Sequence, residues 1–240
     1  MLILALDTTT RAGSCAVSRD GRVLRELASD ASKPPASRLP GDLVTLLERE
    51  GITLAEIDAY AVATGPGSFT GLRVGIATMQ GLAVAAGKPL IGVSAFDALA
   101  TIGGSKEQDP PYEHSAGVGR VLLSRPGNRV ATWIDAWRGE VFAALYENGR
   151  EVEPPAVAHP EVLLARLAGQ PALFVGDAAA TYHDLIQQRL GDLARFADPI
   201  APLLAGTIAS LATGAAMDGQ RPPPHAIRPL YVRRTGAELL

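Results

Sequence analysis

The 240-residue sequence contains one cysteine, Cys15. An intramolecular disulfide and any zinc site built on paired cysteines are therefore excluded, and a reducing compartment is expected. Lysine is almost as scarce, occurring at Lys33, Lys88 and Lys106, so the 22 basic residues are mostly arginine. Acidic residues number 25, giving a net charge of -3. The chain thus has no global basic field, and any nucleic-acid contact must be local or delegated to a partner. No basic stretch precedes the first apolar run, Leu2–Leu6, and Asp7 ends that run too early for a signal peptide. The longest uncharged stretch, Pro199–Met217, carries two prolines and two glycines. It reads as a turn and a buried helix, not a membrane span. These absences predict a soluble cytoplasmic protein with no membrane partner. Hydrophobic residues make up 47% and charged residues 20%, enough for a real core.

Several catalytic signatures are missing too. No lysine stands in the Gly-rich segment at 64–75, so the Walker spacing is absent. No Gly-x-Ser-x-Gly elbow occurs. The four histidines, His114, His159, His183 and His225, include no pair four residues apart on one helix face. No metal site is expected, and each histidine reads as a surface or loop residue.

What is present is an order of elements that occurs twice. In the first half, Leu2–Leu6, Ser14–Ser18 and Arg22–Ala28 read as strands, the last two joined by the hairpin signal Asp20-Gly21. Leu39, Leu43, Leu46 and Leu47 follow at helical spacing, with Gly51 as a stop. Ala59–Ala63 and Pro89–Val93 are the next strands, Phe69–Ala86 and Ser94–Thr101 the next helices. In the second half, Val130–Asp135, Val141–Tyr146 and Glu151-Val152 are strands, with Asn148-Gly149 as the hairpin signal. Helices at Pro160–Leu167, Ala178–Leu190 and Leu203–Ala216 alternate with strands at Ala172–Val175 and Arg195–Ala197. Each half reads β-β-β-α-β-α-β-α, which predicts an α/β fold of duplicated mixed sheets with helical crossovers. The expected division is 1–102, a linker or insertion at 103–128, and 129–240.

Three segments carry chemistry. Asp7-Thr8-Thr9 sits in the turn after the first strand, where a carboxylate, hydroxyls and free amides can meet phosphate or its metal ion. The plainer reading, a turn whose side chains satisfy local amides, is favoured. Thr64–Gly75 ends a strand, turns through Gly65-Pro66-Gly67 and opens a helix with Ser68 as N-cap. Gly71 and Gly75 lie one turn apart in that helix, and Gly81 and Ala85 repeat the spacing. Glycines inside a helix each cost about 1 kcal/mol against alanine and ask for a packing reason. Close packing on the chain's own sheet and packing against a second subunit weigh evenly. Gly176-Asp177 closes a strand and opens a helix, with nucleotide contact and a purely structural turn equally weighted.

The run Thr64–Arg73 with Val74-Gly75-Ile76-Ala77, the opening Met1–Val17 and Ile134–Val141 resemble the bacterial TsaB (YeaZ) family. The resemblance covers nearly the whole chain and is weakest over 103–128 and in the second half. It implies an actin/hexokinase/heat-shock-ATPase-like fold and a role in installing threonylcarbamoyl on the adenosine next to the tRNA anticodon. The implied role is a non-catalytic scaffold acting with a TsaD-type catalytic subunit and a TsaE-type ATPase, contacting tRNA indirectly and forming a homodimer when alone. No catalytic residue is implied, and no cofactor beyond weak ATP or ADP contact at Asp7, Thr8, Thr9, Gly176 and Asp177. The expected interface is Leu39, Leu43, Leu46, Leu47, Gly71, Leu72, Gly75, Ile76, Met79 and Leu82. Two departures stand out: Pro35–Leu39 lacks the histidine common in the family, and Trp137 stands where arginine is common. The competing function is a nucleotide-dependent phosphotransferase of the same fold, with Asp7 and Asp177 at the nucleotide and Asp135 as general base.

Overall fold

Each apolar opening run becomes the central strand of its own sheet. The computed structural model describes residues 1–10, 13–104, 129–167 and 169–232. In chain order the elements are β1 (Leu2–Asp7), β2 (Ser14–Arg19), β3 (Arg22–Ala28), α1 (Pro35–Glu50), β4 (Ala59–Gly65), α2 (Phe69–Ala86), β5 (Leu90–Ser94) and α3 (Ala95–Gly104). Then come β6 (Arg129–Asp135), β7 (Val141–Glu147), β8 (Arg150–Ala158), α4 (Pro160–Arg166), β9 (Ala172–Val175), α5 (Asp177–Thr181), α6 (His183–Leu190), β10 (Ala194–Phe196) and α7 (Ala205–Met217).

The strand order is β3-β2-β1-β4-β5 in one sheet and β8-β7-β6-β9-β10 in the other, so the second repeats the first. In both, a leading antiparallel meander joins two parallel strands through helical crossovers. Asp20 (φ 52) and Asn148 (φ 52) take left-handed backbone before Gly21 and Gly149, as their hairpin turns require.

Contacts divide the chain into two units. The first takes 1–98 and 203–230; the second takes 99–104, 129–202 and 231–232. In the first, β1 is buried along its whole length, as a strand covered on both faces must be. Leu4, Leu6, Cys15 and Val17 share one core with Leu39, Leu43 and Leu46 of α1 and Ile76 and Met79 of α2. In the second, Trp133 of β6 meets Phe174 of β9 edge to face, with centroids 5.4 Å apart. Val141, Leu145, Leu163 and Ile186 complete that core.

Three expectations need correction. The last helix, α7, belongs to the first unit, not to a domain spanning 129–240. Its opening amides need acceptors, and residues far back in the chain supply them. The Ser14 hydroxyl accepts from Leu204 N–H (3.3 Å) and Ala205 N–H (3.0 Å), and the Glu26 carboxylate accepts from Gly206 N–H (2.9 Å). The strand at Glu151-Val152 extends over Arg150–Ala158, carrying Pro154 and Pro155 on an edge strand where missing amides are tolerated. The helix expected over Ala178–Leu190 breaks at Tyr182 (φ -102°, ψ 19°) into α5 and α6. The expected linker at 103–128 falls, from 105 on, outside the described residues.

Among the described residues, α2 is the one helix long and apolar enough to cross a membrane, with a mean hydropathy of 1.2. Its buried side carries Gly71, Leu72, Gly75, Ile76, Met79 and Ala83, and it packs on β4.

Candidate functional site

The turn after β1 is closed by the start of α2. Asp7, Thr8 and Thr9 are all buried. The Asp7 carboxylate accepts from the Thr9 amide (2.8 Å) and the Thr9 hydroxyl (2.6 Å). The Thr9 carbonyl accepts from Ser68 N–H (2.8 Å), while the Ser68 hydroxyl caps α2 by accepting from Gly71 N–H (3.1 Å). Three glycines permit this closeness. A Cβ on Gly67 would lie 2.4 Å from the Thr9 carbonyl oxygen, one on Gly71 2.3 Å from the Thr8 carbonyl oxygen, and one on Gly75 2.2 Å from Thr8 Oγ1. Among the described residues Thr8 Oγ1, itself buried, has no hydrogen-bond partner. The Thr-Gly-Pro-Gly-Ser-Phe-Thr-Gly run is therefore a cradle for the Asp7–Thr9 turn.

This geometry changes the reading of the interface residues. Leu39, Leu43, Leu46, Leu47, Leu72, Ile76 and Met79 are buried in the first unit's core, Gly71 and Gly75 face Thr8, and Leu82 is partly buried against the same cluster. Each of them therefore has a packing role within its own unit. The face of α2 left open carries Phe69 (54% exposed), Arg73, Ala77, Gly81 and Val84 (65% exposed). The Arg73 guanidinium lies 3.8 Å from the Phe69 ring centroid, a cation–π stack that sets both side chains outward at the start of the helix. A Cβ on Gly81 meets nothing within 4 Å. Of the two one-turn spacings in the sequence, the first points inward and only the second is accessible.

In the second unit, Gly176 and Asp177 form the turn from β9 into α5. A Cβ on Gly176 would sit 2.0 Å from the Trp133 carbonyl oxygen, so only glycine lets this turn lie on β6. Asp177 Oδ1 accepts from Asp135 N–H (3.0 Å) and Ala178 N–H (2.9 Å), clipping the end of β6 to the start of α5. Burial, reinforced by the charge of Asp135, pushes the Asp177 carboxyl above its ordinary range, while these amides pull it back. Asp135 Oδ1 in turn accepts from Trp137 N–H (2.8 Å). Asp7, Thr8 and Thr9 are thus gathered with α2 in one unit, and Gly176 and Asp177 with Asp135 in the other.

Sequence reasoning missed two features. Arg38 is buried in the first turn of α1, where it donates to the Asp30 carbonyl and reaches to 3.4 Å from a Cβ placed on Gly13. It stands in the stretch whose missing histidine was the only available signal. Trp137-Arg138-Gly139 reads as a turn from sequence, but not as three consecutive left-handed residues, which is how the structure builds it: Trp137 (φ 60), Arg138 (φ 56) and Gly139 (φ 80). Bulky side chains avoid this region, at a cost of about 1 kcal/mol or more each, and nothing in their residue types announces it.

Cys15 is fully buried and its thiol is pushed up to about 12, mainly by desolvation, so it is neither a thiolate nucleophile nor a ligand at neutral pH. Among the described residues no three His, Cys, Asp or Glu side chains converge as a metal site. His159 Nδ1 lies 3.1 Å from the Gly139 carbonyl, and the His183 ring stacks on Phe196 at 4.2 Å.

Residues 29–239 match the family model of TsaD, tRNA N6-adenosine threonylcarbamoyltransferase. Over 172 residues, 70% of this chain, the sequence is 37% identical to the tRNA threonylcarbamoyladenosine biosynthesis protein TsaB of Escherichia coli. That match spans 66% of the E. coli protein, just under two thirds of its length. The TsaB protein of Haemophilus influenzae is 31% identical over 79% of this chain and 78% of that one. The solved structure of YeaZ from Pseudomonas aeruginosa superposes with a TM-score of 0.71 at 30% identity, covering 96% of this chain and 99% of that one. A likeness of fold alone, TM-score 0.56 at 11% identity over 90% of this chain and 99% of that one, extends to component A of the Acidaminococcus fermentans (R)-2-hydroxyglutaryl-CoA dehydratase. With the repeated sheet order, these likenesses identify a duplicated fold of the actin/hexokinase kind.

Proposed function

Since the chain belongs to the TsaB (YeaZ) family of tRNA threonylcarbamoyladenosine biosynthesis proteins, we propose that it is the non-catalytic scaffold of a threonylcarbamoyltransferase complex. The reaction moves threonylcarbamoyl from threonylcarbamoyl-adenylate to the exocyclic amine of the adenosine next to the tRNA anticodon. In this reading a TsaD-type subunit supplies the reacting groups, a TsaE-type ATPase joins the pair, and tRNA is reached through the complex.

The observation that supports a non-catalytic role is the closure of the Asp7–Thr9 turn. The carboxylate and hydroxyl suited to a phosphate are bonded to each other beneath α2. Bound this way they are structural, and ATP or ADP binding by the isolated chain is weak or absent. Support for docking comes from the open face of α2. Phe69 stacked with Arg73 offers an aromatic and cationic anchor, and Ala77, Gly81 and Ala85 let a partner backbone approach closely. The same face accounts for a homodimer of the isolated chain.

The test is reconstituted threonylcarbamoyl transfer to tRNA, with the catalytic subunit and the ATPase, in the presence and absence of this chain. Strict dependence on the chain, with no turnover by it alone, is the expected result. Full transfer without it would remove the scaffold role. Tight ATP binding and phosphoryl transfer by the pure chain would instead favour the phosphotransferase.

A further inference from the structure

The β6–β7 turn exposes a tryptophan and the arginine that follows it, with Asp135 bonded into the turn and Glu161 an exposed carboxylate nearby. Trp137 is 41% exposed and Arg138 is exposed, whereas the chain's other tryptophan, Trp133, is buried. The turn is pinned at four points. Asp135 Oδ1 holds the Trp137 amide (2.8 Å), Glu140 N–H donates to the Trp137 carbonyl (3.0 Å), and Ala136 N–H donates to the Glu140 carbonyl (3.1 Å). His159 Nδ1 sits 3.1 Å from the Gly139 carbonyl. The Glu140 side chain is buried, and Asp177 is taken up by the amides of Asp135 and Ala178. Glu161, two residues beyond His159, is the exposed carboxylate of this neighbourhood. The turn therefore presents an aromatic face, a guanidinium and an imidazole edge, on a backbone conformation that bulky residues avoid.

That combination matches an unpaired nucleobase and its phosphate. An exposed aromatic ring stacks on any base, and an adjacent arginine meets the backbone charge without a large basic surface. We propose that the Trp137–Arg138 turn contacts a single-stranded RNA loop directly, Trp137 stacking on one base and Arg138 pairing with a phosphate. This rests on the tRNA-modification reading and adds to it a direct contact by this chain. A net charge of -3 sets its scale: one local contact that supplements the complex.

The test uses the full chain with a fluorescently labelled tRNA anticodon stem-loop, and a fully paired RNA duplex as control. Because Trp133 is buried, quenching of tryptophan emission on RNA binding reports Trp137. Saturable quenching by the stem-loop and not by the duplex is expected. By anisotropy of the label, Trp137→Gly, which relieves the backbone and removes the ring, should bind about tenfold more weakly. Trp137→Phe should retain most of the affinity, and Arg138→Gln should lower the slope of log affinity against log salt by about 0.7. Near-ultraviolet circular dichroism from the Trp133–Phe174 pair checks that each variant is folded. Unchanged emission at RNA saturation, or equal affinity of Trp137→Gly and the parent chain, would overturn the proposal. Quenching by the catalytic subunit in place of RNA would also overturn it and make the turn a protein contact. Transfer that still requires this chain, with Trp137→Gly binding RNA normally, would sink the RNA contact and leave the scaffold standing.

Discussion

The contact between Thr8 and Gly75 leaves so little room that each residue limits the other. An alanine Cβ at Gly75 would lie 2.2 Å from Thr8 Oγ1, but 3.2 Å from Thr8 Cβ, a tight yet bearable distance. Gly75→Ala should therefore destabilise the protein strongly, and Thr8→Ala should recover much of the loss. In a double-mutant cycle by urea unfolding, the coupling is expected to exceed about 1 kcal/mol. Additive effects would mean that the strain lies elsewhere. Asp177 gives a pH dependence with a definite sign. Its carboxyl is raised in the folded state, mainly by burial, so the folded protein holds that proton more tightly than the unfolded chain does. The group's contribution to stability is best below the ordinary carboxylate value and declines as pH rises through the raised one. Asp177→Asn keeps an acceptor for both amides and removes the buried charge. It should be more stable than the parent near pH 7, with the difference shrinking as pH falls toward 4; a difference independent of pH would contradict this. Cys15, buried and held protonated, should react with a thiol reagent only as fast as the first unit opens. Labelling in urea should therefore track unfolding.

At the scale of the element, α2 has two faces with the same one-turn spacing of small residues and opposite uses. Gly71 and Gly75 carry the β1 turn; Ala77, Gly81 and Ala85 lie outside. A large side chain at Gly81 has open space, so Gly81→Arg should leave circular dichroism and the unfolding midpoint nearly unchanged. It should abolish co-elution with the catalytic subunit and shift any homodimer to monomer. Intact association with Gly81→Arg would move the docking surface off this helix. The sequence shows the start of α2 at Ser68 and two one-turn spacings of small residues along it. Which glycine pair is buried depends on the angle at which the helix meets β1, and helical spacing carries no such information. The helix expected over 178–190 was misread for a related reason. Its pattern is continuous, but Tyr182 leaves helical geometry where the chain turns from α5 into α6.

At the scale of the molecule, the chain's last helix completes its first sheet. α7 packs against β1, β2 and β3, and its opening amides are capped by Ser14 and Glu26. A fragment of 1–102 therefore lacks the cover for one face of its central strand and should show no cooperative thermal transition. Joining 203–232 to it through a flexible linker should restore one. A cooperative transition for 1–102 alone would show that α7 is dispensable to that unit.

Most strands and helices, the hairpin turns and the duplicated order could be read from the sequence, because they depend on signals within a few residues. Examples are the apolar run at Leu2–Leu6, Asp20-Gly21 and Asn148-Gly149, the heptad-like leucines of α1, and Ser68 before α2. The resemblance in Thr64–Arg73 pointed to the family for the same reason, being one contiguous segment. Tertiary structure alone decided that Gly71 and Gly75 serve the chain's own core, that Asp177 clips β6 to α5, that Trp137 and Arg138 turn outward, and that α7 closes the first unit. Each of these depends on which backbone comes to lie opposite a residue. For Ser14 and Leu204 that partner is 190 residues away, beyond the reach of any local pattern.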